Sequence, residues 1–186
     1  TDVVAVGAGP AGMTTASCLA GSGVRALLLD EHTAPGGQVY RSVEKVTDKR
    51  PADLNVLGSH YRSGSKAVER LHSSGAQYWP GTSVWEISAA EEPALAVGVV
   101  RDGRARMIQA GPMFLRTGAL ELQKPFPGGP LPGGMLVGEA QTWLKSPGLG
   151  REGRMAFAGS CRLYTLAVAD DMHGVELVGS ALRKNK

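Results

Sequence analysis

The sequence predicts an α/β protein that begins with a βαβ unit. Three observations predict this class: an apolar strand at residues 2–6, a second apolar strand at 24–29, and between them the turn Gly7-Ala8-Gly9-Pro10-Ala11-Gly12 followed by a helix of small residues. In such a turn the first glycine permits the tight bend, the second lets backbone approach a pyrophosphate, and the third lets the helix pack closely on the strand. We therefore expect a dinucleotide with its pyrophosphate at the N-terminus of the first helix.

An acidic residue at the end of the second strand supports this interpretation. Asp30 follows the glycine turn by about 20 residues, the separation at which this motif places an acceptor for a ribose hydroxyl. The alternative is a glycine turn in some other α/β protein. The flanking strands and Asp30 together favour the dinucleotide site.

The remaining elements follow from periodicity and turn chemistry. Residues 32–49 are predicted to be a loop, and residues 53–74 a helix with one apolar face that stops at Gly75. Asp102-Gly103 predicts a tight hairpin turn. Strands are predicted at 77–79, 83–88, 95–101, 104–109 and 113–116, and a short helix at 138–145.

A second βαβ pattern begins near the end of the chain. It comprises a strand at 154–158, the turn Gly159-Ser160-Cys161, a helix at 163–172 and a strand at 175–178. The glycine- and proline-rich stretch 126–134 precedes it and is typical of a domain connection. We expect an N-terminal nucleotide-binding domain over 1–124, a crossover linker over 125–137, and an incomplete second dinucleotide-binding domain over 138–186.

Composition argues against several classes of function. The net charge is only +3, and no basic face with aromatic platforms is visible, so nucleic acid is not an expected partner. No apolar run approaches the ~20 residues of a membrane span. The sequence opens directly on a strand with no visible signal peptide, and we expect a cytoplasmic protein.

The cysteines and histidines give no sign of a redox or metal centre. Cys18 and Cys161 do not form a CxxC motif, and Cys18 is expected to be a buried thiol in the first helix. The four histidines lack metal-ligand spacing, so no metal site is expected.

Six motifs spread over nearly the whole chain carry a family resemblance. They are Gly7–Gly12 with Asp30, Pro35-Gly36-Gly37-Gln38-Val39-Tyr40-Arg41, Gly81-Thr82-Ser83-Val84-Trp85, Thr117-Gly118-Ala119, Pro125–Met135 and Gly138-Glu139-Ala140-Gln141-Thr142. In combination they resemble the FAD-containing subunits of heteromeric bacterial amine and amino-acid dehydrogenases. This group includes opine oxidases, hydrogen cyanide synthase, and proline or hydroxyproline dehydrogenases, which are flavoproteins with two dinucleotide-binding domains.

The resemblance implies a Rossmann-like FAD-binding domain with a β meander insertion, followed by the start of a second dinucleotide-binding domain. It places the FAD pyrophosphate on the first glycine turn, the adenosine ribose at Asp30, the adenine edge at Ser83-Val84 and the flavin side near Gln38. The implied cofactor-binding residues are Gly7, Gly9, Pro10, Ala11, Gly12, Asp30, Glu31, Gly36, Gly37, Gln38, Arg41, Ser83, Val84, Thr117 and Gly118.

The chain departs from the family pattern at three points. Arg116 stands where the family usually has alanine, which brings charge and bulk beside the Thr117-Gly118 turn. Cys161 replaces the middle glycine of the second fingerprint, and its side chain argues against a functional NAD(P) site there. Family members are also longer, so the sequence is expected to be a fragment or a shortened relative.

The resemblance implies an FAD-dependent oxidoreductase subunit that passes on electrons from the oxidation of an amine or amino acid. It also implies partner subunits in a hetero-oligomeric dehydrogenase, while no residue stands out as a catalytic acid or base. One alternative is a degenerate FAD- or ADP-binding structural subunit without independent catalysis. Another is an NAD-only Rossmann dehydrogenase, which leaves the loop around Gly36-Gly37 and the β meander at 77–109 unexplained.

Overall fold

Seven strands and four helices make up the described part of the chain. The structure is a computed structural model that describes residues 1–90, 94–121 and 134–146. A short 3-10 helix at Pro51–Asp53 joins the second and third helices. In chain order the elements are β1 (Val3–Val6), α1 (Pro10–Gly21), β2 (Ala26–Leu29), α2 (Val43–Lys49), α3 (Leu54–Ser73), β3 (Gln77–Trp79), β4 (Thr82–Ala89), β5 (Leu95–Arg101), β6 (Arg104–Ala110), β7 (Met113–Leu115) and α4 (Val137–Lys145).

A four-stranded parallel sheet, in the order β3-β2-β1-β7, forms the centre of the fold. All four residues of β2 are buried, as expected for a parallel strand covered on both faces. The chain leaves β1 toward β2 on one side and returns from the meander to β7 on the other. This reversal of strand order places a crevice at the carboxyl ends of β1 and β7, where open α/β sheets bind ligands.

The parallel sheet is the middle of three layers. Alternate residues of a strand face opposite sides, and this period of two separates the core into two clusters. Ala5 and Leu28 face the helices, where they pack with Met13, Leu57 and Tyr61. Val4, Leu27 and Leu29 face the antiparallel sheet β4-β5-β6 and pack with Val97, Val99 and Ala110.

The structure confirms the α/β fold class, the opening βαβ unit and the Asp102-Gly103 turn. Asp102 and Gly103 have φ of 52° and 70°, the positive pair that a type I′ hairpin requires. Gly75, with φ of 82°, follows the end of α3 as expected for a helix stop.

Three sequence-based expectations were wrong or incomplete. The predicted loop 32–49 contains α2, which is anchored by the fully buried Val43 and Val46; a single apolar pair is too short a pattern to reveal a helix. The third helix is kinked at Gly58, where φ is 81° and ψ is 173°. Cys18 is exposed, because the face of α1 that packs on the sheet is formed by Gly12, Met13, Ala16 and Ser17.

The predicted linker and the second βαβ pattern fall mainly outside the described residues, and so does Cys161. The helix predicted at 138–145 is described as α4, and it packs on the first domain. Leu144 contacts the helix-side core, and Arg50 Nη2 donates to the carbonyl oxygens of Lys145 (2.7 Å) and Ser146 (3.1 Å). The domain boundaries at 124 and 137 stay predictions.

Replacing Gly12 with alanine is expected to destabilise the fold. A Cβ at Gly12 would overlap the carbonyl oxygen of Gly7 and lie 3.4 Å from Leu28 Cδ1. Overpacking of this kind costs about 1–3 kcal/mol, measured as a lower urea midpoint. Gly21→Ala is the matched control, since a Cβ at Gly21 meets no described residue within 4 Å. Equal midpoints for the two variants would contradict the packing role of Gly12.

Candidate dinucleotide-binding site

Gly7 brings the ends of β1, β2 and β7 together. Its N–H donates to Leu29 O at 2.8 Å, and its φ is 99°. A Cβ at Gly7 would overlap the carbonyl oxygen of Arg116 and lie 3.1 Å from Thr117 N. Only glycine combines this backbone angle with so close an approach. Thr117, a predicted site residue, therefore lies directly beside the first glycine loop, which comprises residues 7–12.

Gly9 occupies the N-cap position of α1 and borders open space. Its backbone is extended, with φ of −71° and ψ of −179°, a conformation that any residue can adopt. A Cβ at Gly9 would meet no atom of the described residues within 4 Å. The first turn of α1, all of which is described, carries no acidic side chain, and Pro10 is its first residue. Free N–H groups and the positive end of the helix dipole thus face this space, which fits a pyrophosphate.

A second glycine loop, residues 35–41, lies against the first. Gly36 N–H donates to Ala8 O at 2.8 Å, and a Cβ at Gly37 would lie 2.8 Å from Gly9 Cα. Gly36 and Gly37 have φ of 121° and 57°. These two glycines are therefore required by contact between two loops and not only by a local turn.

Side chains of α3 hold the second glycine loop from behind. The Tyr40 ring fills the space above Gly64, where an added Cβ would lie 2.6 Å from Tyr40 Cδ1. Tyr61 is fully buried, and its hydroxyl donates to Arg41 O at 2.6 Å. Burial raises the pKa of Tyr61 to about 12, against a smaller opposing effect of Arg50. The hydroxyl therefore remains a donor to this carbonyl at neutral pH.

Asp30 fixes the first glycine loop to the end of β2. Its carboxylate is 7% exposed and accepts hydrogen bonds from the N–H groups of Ala8 and of His32, the latter at 2.7 Å. Both oxygens therefore already accept a backbone N–H. Glu31, the neighbouring predicted residue, is exposed. The ribose contacts expected of Asp30 and Glu31 stay predictions, and Glu31 has the carboxylate that solvent reaches.

His32 links Asp30 to the predicted flavin side of the site. His32 Nδ1 lies 3.1 Å from Asp30 Oδ1, and its Nε2 lies 3.4 Å from Arg41 Nη2. Arg41 Nε donates in turn to Gln38 Oε1 at 3.2 Å. A proton on Nδ1 satisfies this arrangement, because Nε2 can then accept from Arg41. The sequence analysis missed His32, although its position two residues after an aspartate is the spacing of an Asx turn.

The other predicted residues lie at the same edge of the sheet. Thr82 N–H donates to Asp30 O at 2.8 Å and Gly81 N–H donates to His32 O at 3.0 Å, so Ser83 and Val84, the second and third residues of β4, directly follow this corner. Ser83 is exposed and Val84 is half-buried. At the opposite side, Thr117 and Gly118 are exposed, and Gly118 has φ of 82°.

Arg116 is exposed beside the first glycine loop. Its guanidinium carbon lies 5.8 Å from the centroid of the Phe114 ring, a cation–π distance. The Arg116 side chain is thus held next to β7, the strand that ends directly before Arg116, while the Arg116 carbonyl oxygen packs against Gly7.

Two further observations concern the described residues alone. Within 1–90, 94–121 and 134–146, no group of three His, Cys, Asp or Glu side chains is arranged to hold a metal ion. Of the helices in these ranges, none combines the length and the apolar character needed to cross a membrane.

The parallel sheet and its helices form a Rossmann-like domain. Residues 6–87 match the family model described as an NAD(P)-binding Rossmann-like domain. In overall structure, the chain is similar to L-proline dehydrogenase from P. horikoshii, with a TM-score of 0.68 over 91% of this chain and 33% of that one. The sequence identity is 20%, and the likeness concerns the fold.

In sequence, the chain is homologous to subunits of two enzymes. It is 39% identical to one of the subunits of opine oxidase from Rhizobium meliloti, over 89% of this chain and 32% of that protein. It is 34% identical to hydrogen cyanide synthase subunit HcnB of Pseudomonas aeruginosa, over 95% of this chain and 37% of that protein. The chain thus spans about a third of the length of these relatives. The resemblance inferred from the sequence motifs is confirmed.

Asp30→Asn is expected to destabilise the chain in the absence of any ligand. An amide offers one acceptor oxygen and must turn its NH2 group toward Ala8 N–H or His32 N–H, which leaves a buried donor unsatisfied. The expected loss is about 1–3 kcal/mol in the free energy of unfolding, measured with urea.

Glu31→Gln is the matched control, because it makes the same chemical change at an exposed neighbour. It is expected to leave the urea midpoint unchanged. If Asp30→Asn behaves like Glu31→Gln, the carboxylate of Asp30 does not hold the first glycine loop.

Proposed function

We propose that the chain is the FAD-binding portion of an oxidoreductase subunit that takes part in the oxidation of an amine or amino acid. The observation that carries the proposal is the contact between Gly37 and Gly9, because a Cβ at Gly37 would lie only 2.8 Å from Gly9 Cα. Two glycines of different loops meet there, so the bare backbone surface extends beyond the pyrophosphate position. A cofactor that continues past its pyrophosphate requires such an extension.

The residues at this edge fit each part of FAD. The first glycine loop and the N-terminus of α1 would hold the pyrophosphate, because Gly9 leaves open space there. The corner at Asp30, Glu31 and Ser83-Val84 would hold the adenosine, and the second glycine loop would follow the cofactor toward the flavin. The proposed contacts are Gly7, Gly9, Pro10, Ala11, Gly12, Asp30, Glu31, Gly36, Gly37, Gln38, Arg41, Ser83, Val84, Thr117 and Gly118.

The flavin supplies the two-electron oxidation chemistry when it is bound, and the protein contributes binding and orientation. Gln38 and Arg41 are tied to each other at 3.2 Å, and through His32 to Asp30, so their polar groups are oriented before any ligand arrives. Their role is to orient the flavin end of the cofactor.

The proposed substrate class and the proposed partner subunits are supported by the names of the related proteins. Opine oxidase and hydrogen cyanide synthase act as assemblies of subunits by their names, and the chain matches one subunit of each. We infer that this chain also works with partner subunits and passes electrons onward within such an assembly. Among the described residues we assign no general acid or base.

A structural subunit that binds FAD or ADP without independent catalysis is the second candidate. Two observations favour it: the exposed Arg116 beside the first glycine loop, and the Asp30 carboxylate whose two oxygens already accept backbone hydrogen bonds. An NAD-only dehydrogenase is less consistent with the structure, since binding of NAD alone does not explain why the two glycine loops are in contact. The second nucleotide site falls outside the described residues, and the side chain of Cys161 argues against NAD(P) there.

Gly9→Val is expected to abolish retention of flavin without unfolding the protein. The purified chain, with any partner that co-purifies, is mixed with FAD, gel-filtered and examined by absorbance. The wild type is expected to keep a flavin spectrum. Valine at position 9 is compatible with the backbone, and its Cβ meets no described residue within 4 Å, so the urea midpoint is expected to fall only by the small cost of a poorer N-cap.

Gly21→Val makes the same change at the other end of α1 and is expected to keep the flavin. A folded wild-type chain that stays colourless with FAD and its partner would overturn the flavoprotein proposal. ADP binding without FAD binding would instead favour the structural subunit. Bleaching of bound flavin by amines or amino acids then tests the substrate class.

A further inference from the structure

The last turn of α4 buries a lysine against the second glycine loop. Lys145 is 3% exposed. Its Nζ lies 3.4 Å from Gln38 O, 3.2 Å from Gln141 Oε1 and 5.7 Å from the centroid of the Tyr61 ring. An ammonium group is costly to bury unless hydrogen-bond acceptors and an aromatic face compensate for lost water. The position of Lys145 is therefore stabilised by these contacts, one of which is with the backbone of the second glycine loop.

Lys145 and Tyr61 together hold both ends of the turn 38–41. Lys145 donates to the carbonyl of Gln38, and the Tyr61 hydroxyl donates to the carbonyl of Arg41 at 2.6 Å. Both donors come from the helix side of the loop. The side chain of Gln38 accepts a hydrogen bond from Arg41 Nε.

The backbone around Lys145 is anchored independently of its ammonium group. Arg50 Nη2 donates to the carbonyl oxygens of Lys145 and Ser146, and Ser146 Oγ lies 3.2 Å from Ser42 Oγ. At the other end of α4, Glu121 Oε2 accepts from Gly138 N–H at 2.8 Å. Removal of the ammonium alone therefore leaves these anchors of the helix in place.

We propose that Lys145 is a positioning residue for the flavin end of the cofactor site, an inference that rests on the function proposed above. Its ammonium fixes the Gln38 peptide and so sets the direction of the Gln38 and Arg41 side chains. The pyrophosphate end lies on the first glycine loop, which Asp30 holds from the end of β2. Because the two loops are held by different side chains, loss of the Lys145 ammonium is expected to act mainly on the flavin end.

Comparison of FAD with ADP separates the two ends, because ADP lacks the flavin portion. Lys145→Met keeps the length of the side chain and removes the charge and the donors. We expect its dissociation constant for FAD to rise about tenfold or more, the size of effect expected from a lost charged hydrogen bond. The dissociation constant for ADP is expected to stay within about twofold of wild type.

Flavin fluorescence titration gives the FAD constant and calorimetry gives the ADP constant, both on the full chain with any co-purifying partner. Lys45→Met is the matched control, because Lys45 is an exposed lysine of α2. It is expected to change neither constant.

An unchanged ratio of the two constants in Lys145→Met would overturn the inference. Equal weakening of both ligands together with a lower urea midpoint would also overturn it, since Lys145 would then act only on stability. If Lys145→Met does not fold, the ratio of the FAD and ADP dissociation constants is measured in Lys145→Gln. An unchanged ratio in that variant would likewise overturn the inference. If instead the proposed FAD-binding function is wrong, the wild type itself would bind ADP but not FAD.

Discussion

The close backbone packing around Gly7 is the constraint on which the rest of the structure depends. The carbonyl oxygen of Gly7 lies where a Cβ of Gly12 would be, and the space beside Gly7 is taken by the backbone of Arg116 and Thr117. One glycine therefore fixes the distance of α1 from the sheet and the position of the chain after β7. The crevice at the carboxyl ends of β1 and β7 follows from this packing.

Because the two glycine loops contact each other through backbone atoms, the side chains that hold them in position lie behind the site. Asp30 binds the first glycine loop from the end of β2, and Tyr61 and Lys145 bind the second from the helices. Residues that line such a site expose mainly N–H groups and Cα atoms. The positions of the two loops are then controlled largely by buried side chains behind them, as outer-shell residues orient the ligands of a metal.

Sequence reasoning succeeded where the pattern is local and failed where contacts are long-range. The spacing of Gly7, Gly9 and Gly12 predicts the βαβ unit because the three glycines stand together in one turn between a strand and a helix. The contact of Gly37 with Gly9 joins residues far apart in sequence, and periodicity cannot reveal it. Asp30 shows the limit most clearly. Its spacing predicts a ribose acceptor, which stays a prediction, but it does not reveal that the carboxylate accepts from Ala8 and His32 within the protein, a partnership that depends on how the first glycine loop folds back on β2.

Gly9 distinguishes a constraint of folding from a constraint of binding. Gly7 and Gly12 are required by neighbouring atoms, and glycine at those positions would persist in a subunit that had lost its ligand. Gly9 has an extended backbone that any residue can adopt, and no described residue occupies the space where its Cβ would be. At an N-cap, Ser, Asp or Asn would satisfy the helix better than glycine. The described part of the fold therefore gives no reason for glycine at position 9, and a ligand that must approach the backbone there does. This asymmetry is why we favour a nucleotide-binding subunit over a purely structural one.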